Sequence, residues 1–296
     1  MMNWTGQVVV QGISQAVAAH YAPLMKAYGT KIVAGISAGG GGGKIQDIPI
    51  FDLVEEAMDQ VGEVCLSLIF VEPYQVLDAA SEAIAAGIKQ IIITTAGVPP
   101  LDMVQLLQKA QVNHTFILGP GSGGMIIPAK TWLGRLVAEF YTPGHVGIIS
   151  CTDTLSYEVA LELNQAGLGQ SIAVSLGKAG IICSTFVEWL PILETDPETK
   201  AIILIGQANG NYEQAAAEYL ARRNKKPVIA YIPGIEFPGD GIRGDAATII
   251  ANQLSYSVPT NSTVKEKIAT FQQANVLVAQ RLGEIPELVK KVLKKS

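Results

Sequence analysis

The sequence predicts an α/β protein built of two doubly wound domains. Short β-branched runs alternate with helical stretches of about ten residues, the signature of βαβ units around a parallel sheet. The alternation lapses in a Gly/Pro-rich connection over residues 119–142 and restarts at Gly144. Hydrophobic residues make up 49% of the chain and charged residues 16%, which suits strands covered by helices on both faces.

In the first half, residues 7–11 (QVVVQ), 31–35 (KIVAG), 65–71 (CLSLIFV), 90–95 (QIIITT) and 115–118 read as strands. Helices are predicted over 20–28, 54–61, 76–86 and 101–110, the third stopping at Gly87, where a left-handed glycine ends helices readily. In the second half, strands are predicted at 146–150 (VGIIS), 172–176, 201–206 (AIILIG), 227–232 (PVIAYI) and 276–279. Helices follow from Thr154, over 186–194, over 212–223, near Asp245 and over 285–293. Right-handed crossovers make each sheet doubly wound.

Composition excludes several classes. A net charge of −5 gives no basic footprint for nucleic acid, and no Lys/Arg run marks a membrane surface. Lys290, Lys291, Lys294 and Lys295 read as the last turn of a helix, where cations favour the dipole. Three scattered cysteines, Cys65, Cys151 and Cys183, make neither a disulfide framework nor a zinc site, so no metal is expected. No signal-peptide pattern opens the chain, and no apolar run reaches the ~20 residues of a spanning helix. The expectation is a cytoplasmic protein that binds a small molecule. Trp4, Trp132 and Trp189 read mainly as core, with Trp132, in the connection, the best placed to face a partner.

In open α/β sheets ligands bind at the carboxyl ends of the strands. Three loops there carry chemistry. Gly12, Ser14, Gln15, Ala16 and Val17 follow the first strand and open a helix, as a phosphate site or as a plain βα turn. Residues 39–43 are five glycines followed by Lys44, fit either to wrap a ligand or to make a turn. Ser150, Thr152, Asp153 and Thr154 lie between a strand and a helix, where they either cap the helix or form an anion site. Asp153 argues against an anion, because a carboxylate there already satisfies the dipole.

The succession of short segments says more. VVVQGIS with YGTKIVAGIS, DIPIFDLVEEA, EAIAAGIKQIIITTAGVPPLDM, GPGSGGMIIP, PGHVGIIS, TLSYE, AGLGQS, ETDPETKAIILIGQ, KKPVIAYIPG and GIRGDAATII resemble the alpha subunit of succinyl-CoA synthetase in order and spacing. The resemblance covers roughly residues 8–293. It implies a Rossmann-like CoA-binding domain over 1–125, a linker over 126–143 and a flavodoxin-like ligase domain over 144–296. In that family the second domain carries a histidine that is transiently phosphorylated. A beta subunit with an ATP-grasp domain brings ATP or GTP, and the net reaction joins an acid to CoA. The resemblance therefore implies CoA as cofactor, nucleotide only through a partner, and an oligomer with a beta-type subunit or with itself.

Residue by residue, the chain departs from the family pattern. Gly244 matches the glycine before the family's histidine, and Asp245 stands in the histidine's place. Gln207 stands where the family has the glutamate that orients the histidine. The family's Ser-Arg-Ser-Gly-Thr-Leu reads Ser150-Cys151-Thr152-Asp153-Thr154-Leu155 here. Tyr157 matches the substrate-side tyrosine. On the CoA side, Ser14 keeps its hydroxyl, but two glycines are lost in the first loop. Gly40 replaces the family's CoA-contacting lysine, with Lys44 nearby. Thr94 ends the fourth strand, and Thr95-Ala96-Gly97 stands for Thr-Glu-Gly.

None of His20, His114 and His145 matches the motif position, so an ordinary histidine carrier is not expected. Two readings remain. In the first, the protein is a non-catalytic or repurposed subunit that keeps a site for CoA or a related phosphorylated ligand. In the second, it is a modified acid–CoA ligase or transferase subunit in which Asp245 forms an aspartyl phosphate, or shares a metal with Asp153. The second requires that repulsion between the two carboxylates and an incoming phosphate be neutralised.

Overall fold

The computed structural model describes residues 3–177, 180–208, 210, 212–223, 225–234 and 263–294. Asp245 and Gly244, and the helix expected near them, lie outside the described residues. The chain forms two compact units, Met1–Pro143 with Ile172–Ser184, and Gly144–Ser171 with Thr185–Ser296.

The first unit contains β1 (Val8–Gln11), α1 (Ala16–Tyr28), β2 (Ile32–Ile36), β3 (Lys44–Ile45), β4 (Ile48–Phe51), α2 (Val54–Val61), β5 (Leu66–Ile69), α3 (Val76–Ala85), β6 (Gln90–Ile93), α4 (Pro100–Asn113) and β7 (Phe116–Leu118). Their sheet has the order β3-β4-β2-β1-β5-β6-β7. Apart from the antiparallel β3–β4 pair, its neighbours run parallel. Every residue of β1, β5 and β6 is buried, as a sheet covered on both faces requires. The core runs from Val9, Ala34 and Ile69 to Met103 and Leu106, with Ile181 and Cys183 packed against it. Burying one such side chain contributes about 1.5–3 kcal/mol.

The connection read as irregular contains a hairpin. β8 (Gly124–Ile127) pairs antiparallel with β9 (Thr131–Gly134), and β8 also pairs antiparallel with the end of β11 (Gln170–Ser175). Glycine hid it: Gly124 and Gly134 have φ of 95° and 120°, and a Cβ on Gly134 would lie 2.8 Å from the Gly124 Cα. Strands that approach this closely exclude the β-branched residues by which strands are recognised. Thr30 pins the hairpin to the end of α1, its Oγ1 donating to Trp132 O (2.6 Å) and accepting from Trp132 N (3.0 Å). Trp132 is only 7% exposed and meets Tyr21 and Tyr28 edge-on, so it is core, as the sequence predicts for all three tryptophans, and is not turned outward to a partner. Trp4 and Trp189 are also core.

The second unit contains β10 (Pro143–Ser150), α5 (Asp153–Gln165), α6 (Phe186–Thr195), β12 (Ala201–Ile205), α7 (Tyr212–Arg222), β13 (Val228–Tyr231), α8 (Val264–Gln273), β14 (Leu277–Ala279) and α9 (Ile285–Leu293). Strands β14-β13-β12-β10 are neighbours and parallel. Thr185 with Glu188, and Thr263 with Glu266, form capping boxes that start α6 and α8. Lys290 and Lys291 occupy the last turn of α9, as expected.

Candidate functional site

At the carboxyl edge of the first sheet, β1 turns into α1 at Gly12, whose φ is 75°. A Cβ there would lie 2.8 Å from Val71 N, so the position needs glycine for space as well as for backbone conformation. Gly12 N and Ile13 N both donate to Ile36 O (2.9 and 3.3 Å), and the Ile13 side chain is fully buried. The chain is thereby turned so that Ser14, Ala16 and Val17 face solvent. Gln15 provides no side-chain cap, and the first turn of α1 holds no acidic residue. Ser14 Oγ and Ser37 Oγ lie 2.7 Å apart beside it. The first-turn amides of a helix lack intrahelical acceptors, so a bare, exposed N-terminus with two hydroxyls alongside fits a phosphate.

The glycine loop does not offer the free amides of a phosphate cradle. Gly40 N donates to Ser37 O (2.9 Å), Gly41 N to Asp52 Oδ1 (3.1 Å), Gly42 N to Ile50 O (3.1 Å) and Gly43 N to Gly40 O (3.2 Å). It is a self-satisfied turn leading into β3, where Lys44 is exposed. Thr94 N and Oγ1 both donate to Ile69 O (3.1 and 2.9 Å), and Thr95 Oγ1 donates to Val71 O (2.6 Å). These hydroxyls fix the loop after β6 and leave Ala96 exposed at its tip. Sequence reasoning missed Arg135, which follows β9: its Nη2 lies 3.5 Å from Thr94 O, and its Nε is buried without a partner. The available signal was a single arginine in an otherwise apolar stretch.

At the carboxyl edge of the second unit, β10 ends at Ser150. Its Oγ donates to Thr152 O (2.6 Å) and accepts from Thr152 N (3.0 Å). Thr152 is the N-cap residue of α5, but its side chain makes no capping bond, and its Oγ1 is buried without a partner. Asp153 is the first residue of the helix. Thr154 is exposed and Tyr157 half-buried, one turn on. The N-cap N–H is taken in both helices, Gln15 N donating to Gly12 O (3.0 Å) as Thr152 N donates to Ser150, so this N-terminus differs from that of α1 in the carboxylate that stands in its first turn.

Gln207 follows β12 and is held by its backbone. Its N–H donates to Glu213 Oε1 (2.8 Å), and its carbonyl accepts from Lys267 Nζ (2.9 Å). Lys267 Nζ and Glu213 Oε2 are 3.0 Å apart, and neither side chain has any exposure. Glu213 is thus a carboxylate close to the position where the resemblance expects an orienting glutamate, yet its charge is already paired. Burial pushes the Cys151 thiol well up, the Glu213 carboxylate adds to the rise, and Lys267 opposes it. Among the described residues no three His, Cys, Asp or Glu side chains gather as a metal site. None of their helices is long and apolar enough to cross a membrane.

Residues 3–97 match the family described as CoA binding domain, and residues 143–291 the family described as succinyl-CoA ligase like flavodoxin domain. The chain is 37% identical over 287 residues to the succinate–CoA ligase (ADP-forming) subunit alpha 2 of Archaeoglobus fulgidus, covering 97% of each. It is 36% identical to the corresponding alpha subunit of Aquifex aeolicus, covering 99% of this chain and 94% of that one. Among solved structures it resembles ATP citrate lyase from Methanothrix soehngenii in complex with citrate and coenzyme A (TM-score 0.81, 18% identity), covering all of this chain and 50% of that one. It also resembles a dinucleotide-forming acetyl-coenzyme A synthetase of Ca. Korarchaeum cryptofilum (TM-score 0.71, 19% identity), covering 95% of this chain and 59% of that one. The chain thus spans about half the length of these structural neighbours, whose likeness is one of fold.

Proposed function

Because the chain belongs to the succinate–CoA ligase alpha-subunit family, we propose that it binds CoA on its first unit and serves as a non-catalytic or repurposed subunit whose phosphoryl-relay site is closed. The contrast between two helix N-termini carries this reading. That of α1 is uncapped, free of acid in its first turn and flanked by Ser14 and Ser37. That of α5 has the Asp153 carboxylate in its first turn. A helix N-terminus attracts an anion only while its partial positive charge is unspent.

The residues of the first unit fit CoA. The amides at Ala16 and Val17 and the hydroxyls of Ser14 and Ser37 would hold a phosphate, and Gly12 gives the close backbone approach. Thr94, Thr95 and Ala96 would line the edge further along, with Gly40 and Lys44 on the far side. Bound CoA supplies the thiol on which an acyl group is carried. In the second unit, Gln207 supplies an amide where the family's histidine would need a carboxylate. Asp245 supplies a carboxylate where the histidine itself would be, and Asp153 adds a second anion to the same region of the family pattern. A phosphoryl group entering such a pocket meets net repulsion. A beta-type ATP-grasp subunit is the partner that the family relationship suggests, and a homo-oligomer is the other assembly.

Two measurements test this. Saturating CoA should raise thermal stability, since a ligand at 100 times its Kd stabilises the native state by about 2.7 kcal/mol. Incubation with labelled ATP or GTP and a beta-type subunit should leave no phosphate on this chain. A hydroxylamine-labile label that vanishes in Asp245→Asn would replace this reading with an aspartyl-phosphate ligase. The absence of any shift with CoA would remove the cofactor.

A further inference from the structure

A half-buried carboxylate on α3, Glu82, joins parts of the first unit that lie far apart in sequence. Its Oε1 accepts from Val54 N (2.8 Å), and its Oε2 accepts from Gln11 Nε2 (3.1 Å). Gln11 is the buried last residue of β1, and its whole amide is engaged: Nε2 also donates to Ala79 O (2.9 Å), and Oε1 accepts from Ser67 Oγ (2.6 Å). Val54 opens α2, an eight-residue helix whose N-cap Leu53 brings no side-chain cap. Glu82 therefore caps α2 from another helix, doing for it what a local Ser or Asp does elsewhere. Among the described residues no ion pair joins Glu82 to a cation, so N–H donors alone balance it.

Both bonds lead to the edge where CoA is proposed to bind. Gln11 runs directly into Gly12 and the turn that carries Ser14. On the other side, the residues just before Val54 hold the facing loop. Ile50 O accepts from Gly42 N (3.1 Å), Phe51 O from Ser37 N (2.9 Å) and Asp52 Oδ1 from Gly41 N (3.1 Å). Of the amides from Gly40 to Gly43, that of Gly41 is the one held by a side chain, so its place depends on where Asp52 stands. The contact is close: a Cβ on Gly41 would lie 2.5 Å from Asp52 Oδ2. A helix of eight residues does not hold its own first turn, so the start of α2 is set by whatever fastens it. One line of contacts thus runs from the Gly12 turn through Gln11, Glu82 and the start of α2 to Asp52 and the glycine loop.

We propose that Glu82 is a positioning residue of the CoA edge, holding the Gly12 turn and the glycine loop in the arrangement that receives the cofactor. The proposal rests on the CoA reading given above. It is tested by calorimetric titration of the whole chain with CoA, beside amide exchange followed residue by residue by NMR. Glu82→Ala should bind CoA about tenfold more weakly, the share of one charged hydrogen bond. Its Val54 and Gly41 amides should also exchange faster than in the wild type. Glu82→Gln keeps one acceptor, so it should recover part of the affinity and part of the protection, and it carries the comparison if Glu82→Ala does not fold. Leu106→Ala truncates a fully buried side chain of α4, away from this line. It should lose stability yet bind CoA within about twofold of the wild type, with the Gly41 amide no less protected from local opening. Wild-type CoA affinity in both Glu82 variants overturns the proposal and leaves the CoA reading standing. An equal loss of affinity in Leu106→Ala also overturns it, assigning Glu82 to stability alone. If the wild type binds no CoA, the CoA reading fails and the proposal fails with it.

Discussion

Lys267 and Glu213, 54 residues apart in sequence, form an ion pair whose side chains are both closed to solvent, and together they hold the two backbone polar groups of Gln207. The loop after β12 is therefore tied down through a buried charge pair. Removing one partner strands the other in the interior, which costs about 3–5 kcal/mol. Urea denaturation of Glu213→Gln and Lys267→Met should show losses of that size. The double variant Glu213→Leu with Lys267→Met should lose clearly less than the sum of the two, because no uncompensated charge remains.

Gly12→Ala should weaken both stability and CoA binding. Its Cβ would have to enter the space beside Val71 N in a left-handed backbone conformation. A loss of about 1–3 kcal/mol is expected from strain and overpacking, together with a reduced CoA-induced thermal shift. A variant that keeps the full shift would show that the turn does not govern the ligand.

The three thiols should separate by reactivity. Burial pushes Cys183 up to about 12 from the ordinary value of 9.0, and Cys151 is raised well above it. At pH 8, dithionitrobenzoate should therefore react in the native protein with the partly buried Cys65 first, and with all three thiols in denaturant. A raised thiol pKa means that the folded state holds its proton longer than the unfolded state does. The associated stability is complete below pH 9 and falls as pH climbs toward 12. A thermal midpoint that declines across that window, and less steeply in Cys183→Ala, would bear this out.

If the second unit is closed to phosphate by several residues together, one reversal should not reopen it. Asp245→His alone, assayed with a beta-type subunit and labelled nucleotide, should remain unlabelled. Asp245→His combined with Gln207→Glu and Asp153→Gly should take up label that is lost in acid and kept in alkali, as expected of phosphohistidine. Labelling of the single variant would show that Asp153 and Gln207 are not obstacles.

The regular layers were legible because their residues repeat the physical pattern of buried parallel strands: VVVQ, LSLI, QIII and AIILI are each buried along their length. The α1 N-terminus and the Ser150 loop were legible as alternatives, since a strand–helix junction with Gly or Ser is a local signal. The choice between them lies in three-dimensional contacts. Ser150 turns its hydroxyl onto its own loop, and the amides of Gly40 to Gly43 are spent on internal acceptors, facts that composition does not carry. The β8–β9 hairpin was hidden because close backbone approach selects glycine. The Glu213–Lys267 pair and the Arg135–Thr94 contact join residues far apart in sequence, with no period linking them.

The first unit is assembled from two separate stretches, Met1–Pro143 and Ile172–Ser184, with part of the other unit encoded between them. During synthesis its first sheet can form from the leading stretch, but the antiparallel partner of β8 emerges only afterwards. A ribosome stalled before Ser184 would hold an unfinished body. A gene fragment ending at residue 143 would leave one side of β8 without its neighbour, an invitation to pair with another molecule instead.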